Sequence, residues 1–176
     1  MDKNIKYYIE PDGEFVIENY NHATAFSNFL PGIAGLFGIP MWVFYVNRGQ
    51  GICSFGVKSK DNPIMEFMPA NRAYQLTSSQ SFRTFIKVKD KKKKIFYEPF
   101  QPHFENNAVP ATQKIFITSH GLKLVERNTL LGLEITVEYF TVPNEPFAAL
   151  ARVVTFNNIS KKDITADIID GTPLII

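Results

Sequence analysis

Apolar and polar side chains alternate from Leu131 to Tyr139, and this run restricts the possible folds more than any other feature of the sequence. Leu, Ile, Val and Tyr occupy one set of positions, while Gly, Glu and Thr occupy the other. Successive side chains of a β-strand point to opposite faces, so a period of two predicts a strand with one buried face. The alternation therefore favours a sheet that covers a core.

Short apolar runs recur along the chain at intervals of roughly ten residues, separated by turn signals such as Glu10–Gly13 and Pro143–Pro146, and this spacing is typical of a sandwich or barrel. Strands are also predicted at Ala73–Thr77 and Phe147–Phe156. The second of these is apolar almost throughout, so we expect it to be buried on both faces. We predict an all-β, mainly antiparallel β-sandwich that forms a single domain over residues 1–176, with helix in less than about a tenth of the residues.

The charge balance and the N-terminus exclude several classes of partner. A formal net charge of +2 predicts neither a nucleic-acid nor a membrane partner. The first residues contain no apolar export signal, so we expect a cytoplasmic protein. The single cysteine, Cys53, cannot form an intrachain disulfide, and its apolar neighbours predict a small core residue.

The C-terminal residues Leu174–Ile176 are all apolar, and an open apolar strand invites pairing with other chains. We therefore expect the sequence to be an incomplete amino-terminal fragment of a longer protein. Self-association is expected through this segment and through Phe147–Phe156.

Few residues have the spacing that catalysis or metal binding requires. His22, His103 and His120 have no partner at ligand spacing, and no serine lies in a Gly-x-Ser-x-Gly frame. The basic run Lys91–Lys94 is expected to be a solvated hairpin tip. We predict no metal site, no catalytic residue and no cofactor.

One segment combines aromatic and hydrogen-bonding residues in a pattern that suits a polar ligand. The apolar run from Gly38 to Val46 ends abruptly in Asn, Arg and Gln side chains, and a second dense segment spans Ile64–Gln75. Sugars present apolar C–H faces and hydroxyl rims, which aromatic, Arg, Asn and Gln side chains can bind. The candidate substrate-binding residues are Trp42, Asn47, Arg48, Gln50, Asn71 and Arg72. Ordinary core strands with turn residues are the alternative interpretation of both segments.

Several segments resemble the amino-terminal region of bacterial β-1,2-oligoglucan phosphorylases, in the inverting family that includes cellobiose and chitobiose phosphorylases. The resemblance runs from about Phe15 to the end, and its first half is the more specific. It is carried by Phe26–Gly35, Gly38–Gln50, Ser54–Gly56, Glu66–Tyr74, Phe82–Lys87 and Asp170–Pro173.

The resemblance implies a non-catalytic β-sandwich that precedes an (α/α)₆ barrel, and in that family the barrel carries the general acid and the phosphate site. The parent enzyme would cleave a β-linked glucan with inorganic phosphate as co-substrate, giving an α-glucosyl phosphate. The expected partners are a β-glucan oligosaccharide and the enzyme's own barrel, with residues 47–50 and 71–72 lent to the substrate cleft. A free-standing carbohydrate-binding module and a structural interaction domain remain alternatives.

Overall fold

The computed structural model describes residues 4–30, 33–34, 38–90, 93–101 and 111–172. These residues form fourteen β-strands and one α-helix, together with a 3₁₀ turn at Tyr20–His22. The elements in chain order are β1 Lys6–Ile9, β2 Phe15–Glu18, β3 Ser27–Leu30, β4 Ile33–Ala34, β5 Ile39–Val46, β6 Ile52–Val57, β7 Pro63–Met65, α1 Ala70–Gln80, β8 Arg83–Asp90, β9 Lys93–Tyr97, β10 Ala111–Ile117, β11 Gly121–Asn128, β12 Leu133–Thr141, β13 Leu150–Asn158 and β14 Thr165–Gly171.

The strands form three sheets, and every strand pair in the described ranges is antiparallel. The largest sheet has the order β1-β2-β10-β11-β12-β13, and the smallest has the order β14-β8-β9. The remaining sheet has five strands in the order β3-β5-β6-β7, with β4 paired to β5. The prediction of an all-β, mainly antiparallel, sandwich-like fold is confirmed.

The main core lies between the sheets and contains inward side chains from all three of them. On β12, the alternation predicted from the sequence is confirmed, since Leu133, Ile135, Val137 and Tyr139 are all buried. The five-stranded sheet contributes residues such as Val43, and the small sheet residues such as Ile86. Full burial of one such side chain contributes roughly 1.5–3 kcal/mol, so these rows fix which face of each sheet turns inward.

The predicted strand over Ala73–Thr77 is wrong, because these residues belong to the helix α1. Pro69 caps the N-terminus of this helix, and Ala73 and Thr77, four residues apart, form its buried stripe. The stripe covers a second small core on the outer face of β5 and β6, around Phe44 and Cys53. Side chains four residues apart share a helix face, so packing on this sheet favours the helix over the extended form.

The expectation that Phe147–Phe156 is buried on both faces is also wrong. Its strand, β13, lies at the edge of the six-stranded sheet, and one of its faces is open. Phe147 is 53% exposed and Val153 is 43% exposed. Leu174–Ile176, which we expected to expose a further apolar edge, lie outside the described residues, as do Lys91 and Lys92 of the basic run.

Candidate functional site

A row of four aromatic rings crosses the outer face of the five-stranded sheet. The ring centroids of Phe29 and Phe44 are 4.7 Å apart, those of Phe44 and Phe67 are 5.7 Å apart, and those of Phe67 and Trp42 are 5.8 Å apart. Phe29 and Phe44 are direct cross-strand neighbours on β3 and β5. Trp42 and Phe44 occupy alternate positions of β5, which places both rings on one face.

The accessible ends of this aromatic row are Phe29, which is 48% exposed, and Trp42, which is half-buried. The indole Nε1 of Trp42 donates to the carbonyl of Ser59 at 2.8 Å, and this bond holds the ring edge-on to Phe67. Aromatic faces fixed in this way can stack against the C–H face of a pyranose ring. The sequence identified Trp42 but not Phe29, Phe44 or Phe67, although the spacing of Trp42 and Phe44 indicated a shared face.

The side chain of Asn47 has no exposed surface and bonds to three backbone groups of the segment that precedes β3. Its Nδ2 donates to the carbonyls of Tyr20 at 3.1 Å and Thr24 at 3.0 Å. Its Oδ1 accepts from the backbone N–H of Phe26 at 2.9 Å. These bonds satisfy the buried amide of Asn47 and connect the turn after β5 to the 20–26 segment. Sugar binding by Asn47 stays a prediction, but in this structure its amide is occupied within the chain.

Arg48 follows Asn47 in the turn between β5 and β6 and is half-buried. Its Nη1 donates to the carbonyl of Asn47 at 2.7 Å, and its Nη2 donates to the carbonyl of Ala23 at 3.0 Å. Burial lowers the pKa of the guanidinium, while the nearby Tyr74 and Tyr20 side chains oppose that shift. A guanidinium carries five N–H donors, so this side chain has donors beyond those used in these two bonds.

Gln50 closes a ring of four polar side chains at the point where the three sheets meet. Its Nε2 donates to Oγ1 of Thr84 at 2.8 Å, and that hydroxyl donates to Oδ1 of Asp170 at 2.6 Å. Arg152 then joins the two ends, from Nη2 to Oε1 of Gln50 at 2.6 Å and from Nη1 to Oδ2 of Asp170 at 2.5 Å. Gln50 is 2% exposed, so its amide, like that of Asn47, is occupied inside the protein.

Aromatic rings and ion pairing stabilise the charges of this polar ring. The guanidinium carbon of Arg152 lies 5.0 Å from the centroid of the Phe82 ring and 6.0 Å from that of Tyr139. Burial opposes ionisation of Asp170, yet the hydrogen bonds from Arg152 and Thr84 hold the pKa of this carboxyl below its usual value. Pairing with Arg152 therefore offsets the partial loss of solvent around this carboxylate.

Asn71 and Arg72 lie in the first turn of α1, and both are exposed. The six candidate residues therefore fall into three environments, with two amides buried, two side chains half-buried and two on the helix surface. Among the described residues, the one side-chain hydrogen bond that joins any of the six to another runs from Arg48 to the carbonyl of Asn47. The sequence placed them in one site, whereas the structure divides them between the outer face of the five-stranded sheet, the turn between β5 and β6, and the surface of α1.

Two reactive groups are sealed inside the protein. Glu126 is 1% exposed, and burial raises the pKa of its carboxyl. The carboxylate accepts from the Tyr97 hydroxyl, from the backbone N–H of Phe100 at 2.6 Å and from Nε2 of Gln113 at 2.7 Å. Burial likewise raises the pKa of the Cys53 thiol to about 12, which leaves almost no nucleophilic thiolate at neutral pH.

The described ranges contain neither a cluster of metal ligands nor a helix that could span a membrane. Among the residues that the structure describes, no three His, Cys, Asp or Glu side chains lie where they could hold a metal ion. His103 lies outside those residues. The one α-helix in the described ranges is too short and too polar to cross a membrane.

Comparison with known proteins gives no assignment for this chain. No protein-family model matches it, and no curated protein matches it either. A function must therefore be inferred from the residues and their geometry.

Proposed function

We propose that this chain is the non-catalytic amino-terminal domain of an inverting glycoside phosphorylase and that it binds a β-linked glucan along its aromatic row. The proposal is supported mainly by the positions in the sequence of the four aromatic residues that form the row. Phe29, Phe44 with Trp42, and Phe67 come from three different segments that resemble β-1,2-oligoglucan phosphorylases, and all three segments contribute to one row.

The chemistry of the row suits a neutral polysaccharide. Phe29 and Trp42 offer ring faces at its two ends, and successive pyranose rings can stack on such faces. Hydrogen bonds to the hydroxyl groups would come from the free donors of Arg48 and from Asn71 and Arg72 on α1, which are exposed polar side chains beside the same sheet.

The reaction itself is assigned to a catalytic barrel outside this chain. An inverting phosphorylase needs a carboxylic acid that reaches the leaving oxygen and a site that holds phosphate. Glu126 has the raised pKa of such an acid, but its carboxylate is sealed by Tyr97, Phe100 and Gln113. The parent enzyme would use inorganic phosphate to release an α-glucosyl phosphate, and the sandwich would supply binding surface and support.

Calorimetric titration with two oligoglucans of equal length, one β-1,2-linked and one α-1,4-linked, tests this proposal. We expect the β-linked chain to bind and the α-linked chain to bind more weakly. Incubation of the chain with the β-glucan and inorganic phosphate should release no glucosyl phosphate. Phosphate-dependent release would overturn the non-catalytic role, and failure of the β-glucan to bind at millimolar concentration would overturn the glucan-binding role.

A structural interaction domain is the second candidate, and exposed apolar side chains favour it. Ile9 is 71% exposed, Leu130 is 65% exposed and Phe147 is 53% exposed, all outside the aromatic row. Large apolar side chains left in water often mark contact surfaces. If no oligoglucan binds while the chain self-associates in light scattering, this second function replaces the first.

A further inference from the structure

The outer face of the small β14-β8-β9 sheet carries an apolar cavity that the proposed glucan-binding role does not use. Phe85, Phe96 and Ile169 lie in this cavity, and they are 41%, 71% and 73% exposed. Its volume of about 480 Å³ falls within the range of small-molecule sites. Three large apolar side chains around one concave surface are costly to leave in water.

Lysines occupy the other half of the same sheet face. Lys87 lies opposite Phe96 on one side and Asp167 on the other, and Lys89 lies opposite Lys94. Because alternate residues of a strand share a face, these lysines extend from the apolar cavity towards the β8–β9 hairpin. The face therefore has an apolar half and a basic half.

The charges on this face do not balance. Asp167 pairs with both Lys87 at 3.4 Å and Lys89 at 2.7 Å, so one carboxylate serves two ammonium groups. Lys94 adds a third positive charge. Two carboxylates line the cavity, but Glu98 is paired with Arg83, which leaves Asp167 as the carboxylate beside the three lysines within the described ranges. The net positive charge of the lysine half therefore favours binding of a ligand that carries an acidic group.

The opposite end of the cavity is closed by a neutral pair. Arg83 binds Glu98 through two parallel bonds, Nε to Oε1 at 2.6 Å and Nη2 to Oε2 at 2.8 Å. The Arg83 guanidinium also lies over the Phe85 ring, 4.6 Å from its centroid. Because the charges of Arg83 and Glu98 neutralise each other, an anionic ligand gains little by binding at this end of the cavity. The three lysines at the other end attract an anionic group more strongly.

We propose that this face binds a small anionic amphiphile, a molecule with one acidic head group and an apolar body. The apolar body covers Phe85, Phe96 and Ile169, and the head group lies at Lys89 and Lys94 by charge complementarity. The site is on a different sheet from the aromatic row and shares no residue with it. Binding of an amphiphile can therefore be tested independently of glucan binding.

Three ligands with the same ten-carbon chain separate the contributions of head group and body. Decanoate, decanol and decyltrimethylammonium are titrated below the concentrations at which they aggregate. We expect decanoate to bind most tightly and the ammonium compound most weakly. Raising the salt concentration should weaken decanoate binding and leave decanol binding unchanged, because salt screens exposed charges. Equal affinity for decanoate and decanol would overturn the anionic site.

Matched variants locate the site on this sheet. Phe96→Ala should weaken decanoate and decanol alike by about tenfold, which corresponds to about 1.4 kcal/mol. Lys94→Gln should weaken decanoate by a few-fold and leave decanol unchanged. The controls are Phe147→Ala and Lys60→Gln, exposed residues of the same types in loops outside this sheet. Ile169→Ala repeats the apolar test at a second position, and equal losses in the control variants would overturn the assignment.

Discussion

Arg152 and Gln50 are joined by a hydrogen bond of 2.6 Å between Nη2 and Oε1, although 102 residues separate them in the sequence. Arg152 lies on the edge strand of the six-stranded sheet, and Gln50 lies in the turn that follows β5. Thr84 and Asp170 complete the ring from the small sheet. One group of polar side chains therefore links all three sheets, in addition to the apolar core that lies between them.

Replacing Arg152 with Leu should destabilise the fold strongly. The variant would leave Asp170 and Gln50 without their main partner. The Asp170 side chain is 27% exposed, so the loss should be smaller than for a fully buried pair, about 2–3 kcal/mol. Arg152→Lys should recover only part of the loss, because an ammonium group cannot provide a planar fork of donors. Urea unfolding measures both variants, with the exposed Lys60→Gln as control. A loss below about 1 kcal/mol in Arg152→Leu would refute the role assigned to the ring.

The pH dependence of stability should change in Glu126→Gln. Burial raises the pKa of this carboxyl above its ordinary value of 4.5, so over a window that begins near pH 4.5 the folded state binds more protons than the unfolded state. The free energy of unfolding should therefore fall as pH rises through that window. The amide that replaces the carboxyl stays neutral and can still accept from the backbone N–H of Phe100, so the variant should lack this decline.

Urea unfolding at several pH values measures this difference between the wild-type chain and the Glu126→Gln variant. Glu138→Gln, at an exposed position on the adjacent strand β12, is the matched control and should keep the wild-type profile. Parallel pH profiles for wild type and Glu126→Gln would contradict the assignment.

Asn47 and Arg48 should respond differently to truncation. Asn47→Ala would leave the Phe26 N–H and the Thr24 carbonyl without the partner that Asn47 provides, at about 1–3 kcal/mol for each group, whereas the Tyr20 carbonyl keeps the N–H of Ala23. We expect a loss of at least about 2 kcal/mol, which is roughly 4–8 °C in Tm for a chain of this size. Arg48→Ala removes weaker, half-exposed bonds and should cost about 1 kcal/mol. Equal melting temperatures for the two variants would show that the hydrogen bonds of Asn47 stabilise this turn no more than those of Arg48.

Much of the fold could be predicted from local pattern, because the cores of the long strands alternate with a period of two. The run that ends at Tyr139 is an example, and every buried position in it was expected. The helix was missed because the buried residues Ala73 and Thr77 are small, so its apolar stripe gave little signal. Its strongest sequence indication was Pro69, which precedes the first turn.

The roles of the polar residues could not be predicted, because their partners are distant in the sequence. Asn47 bonds to residues 21 to 27 positions earlier, and Gln50 bonds to a residue 102 positions later. A single sequence shows that such side chains are unusual beside an apolar strand. It does not show whether they turn towards a ligand or towards another part of the backbone.

The central claim is that the aromatic row binds a β-linked glucan, and the affinity of Phe29→Ala for a β-1,2-oligoglucan tests it most directly. Phe29 is 48% exposed, so its removal should perturb the fold little. One aromatic stacking contact contributes about 0.5–1.5 kcal/mol, which predicts an affinity roughly twofold to tenfold lower than that of wild type by calorimetry. Phe147→Ala, an exposed Phe away from the row, should bind as wild type does. Unchanged affinity in Phe29→Ala, or an equal loss in Phe147→Ala, would contradict the account.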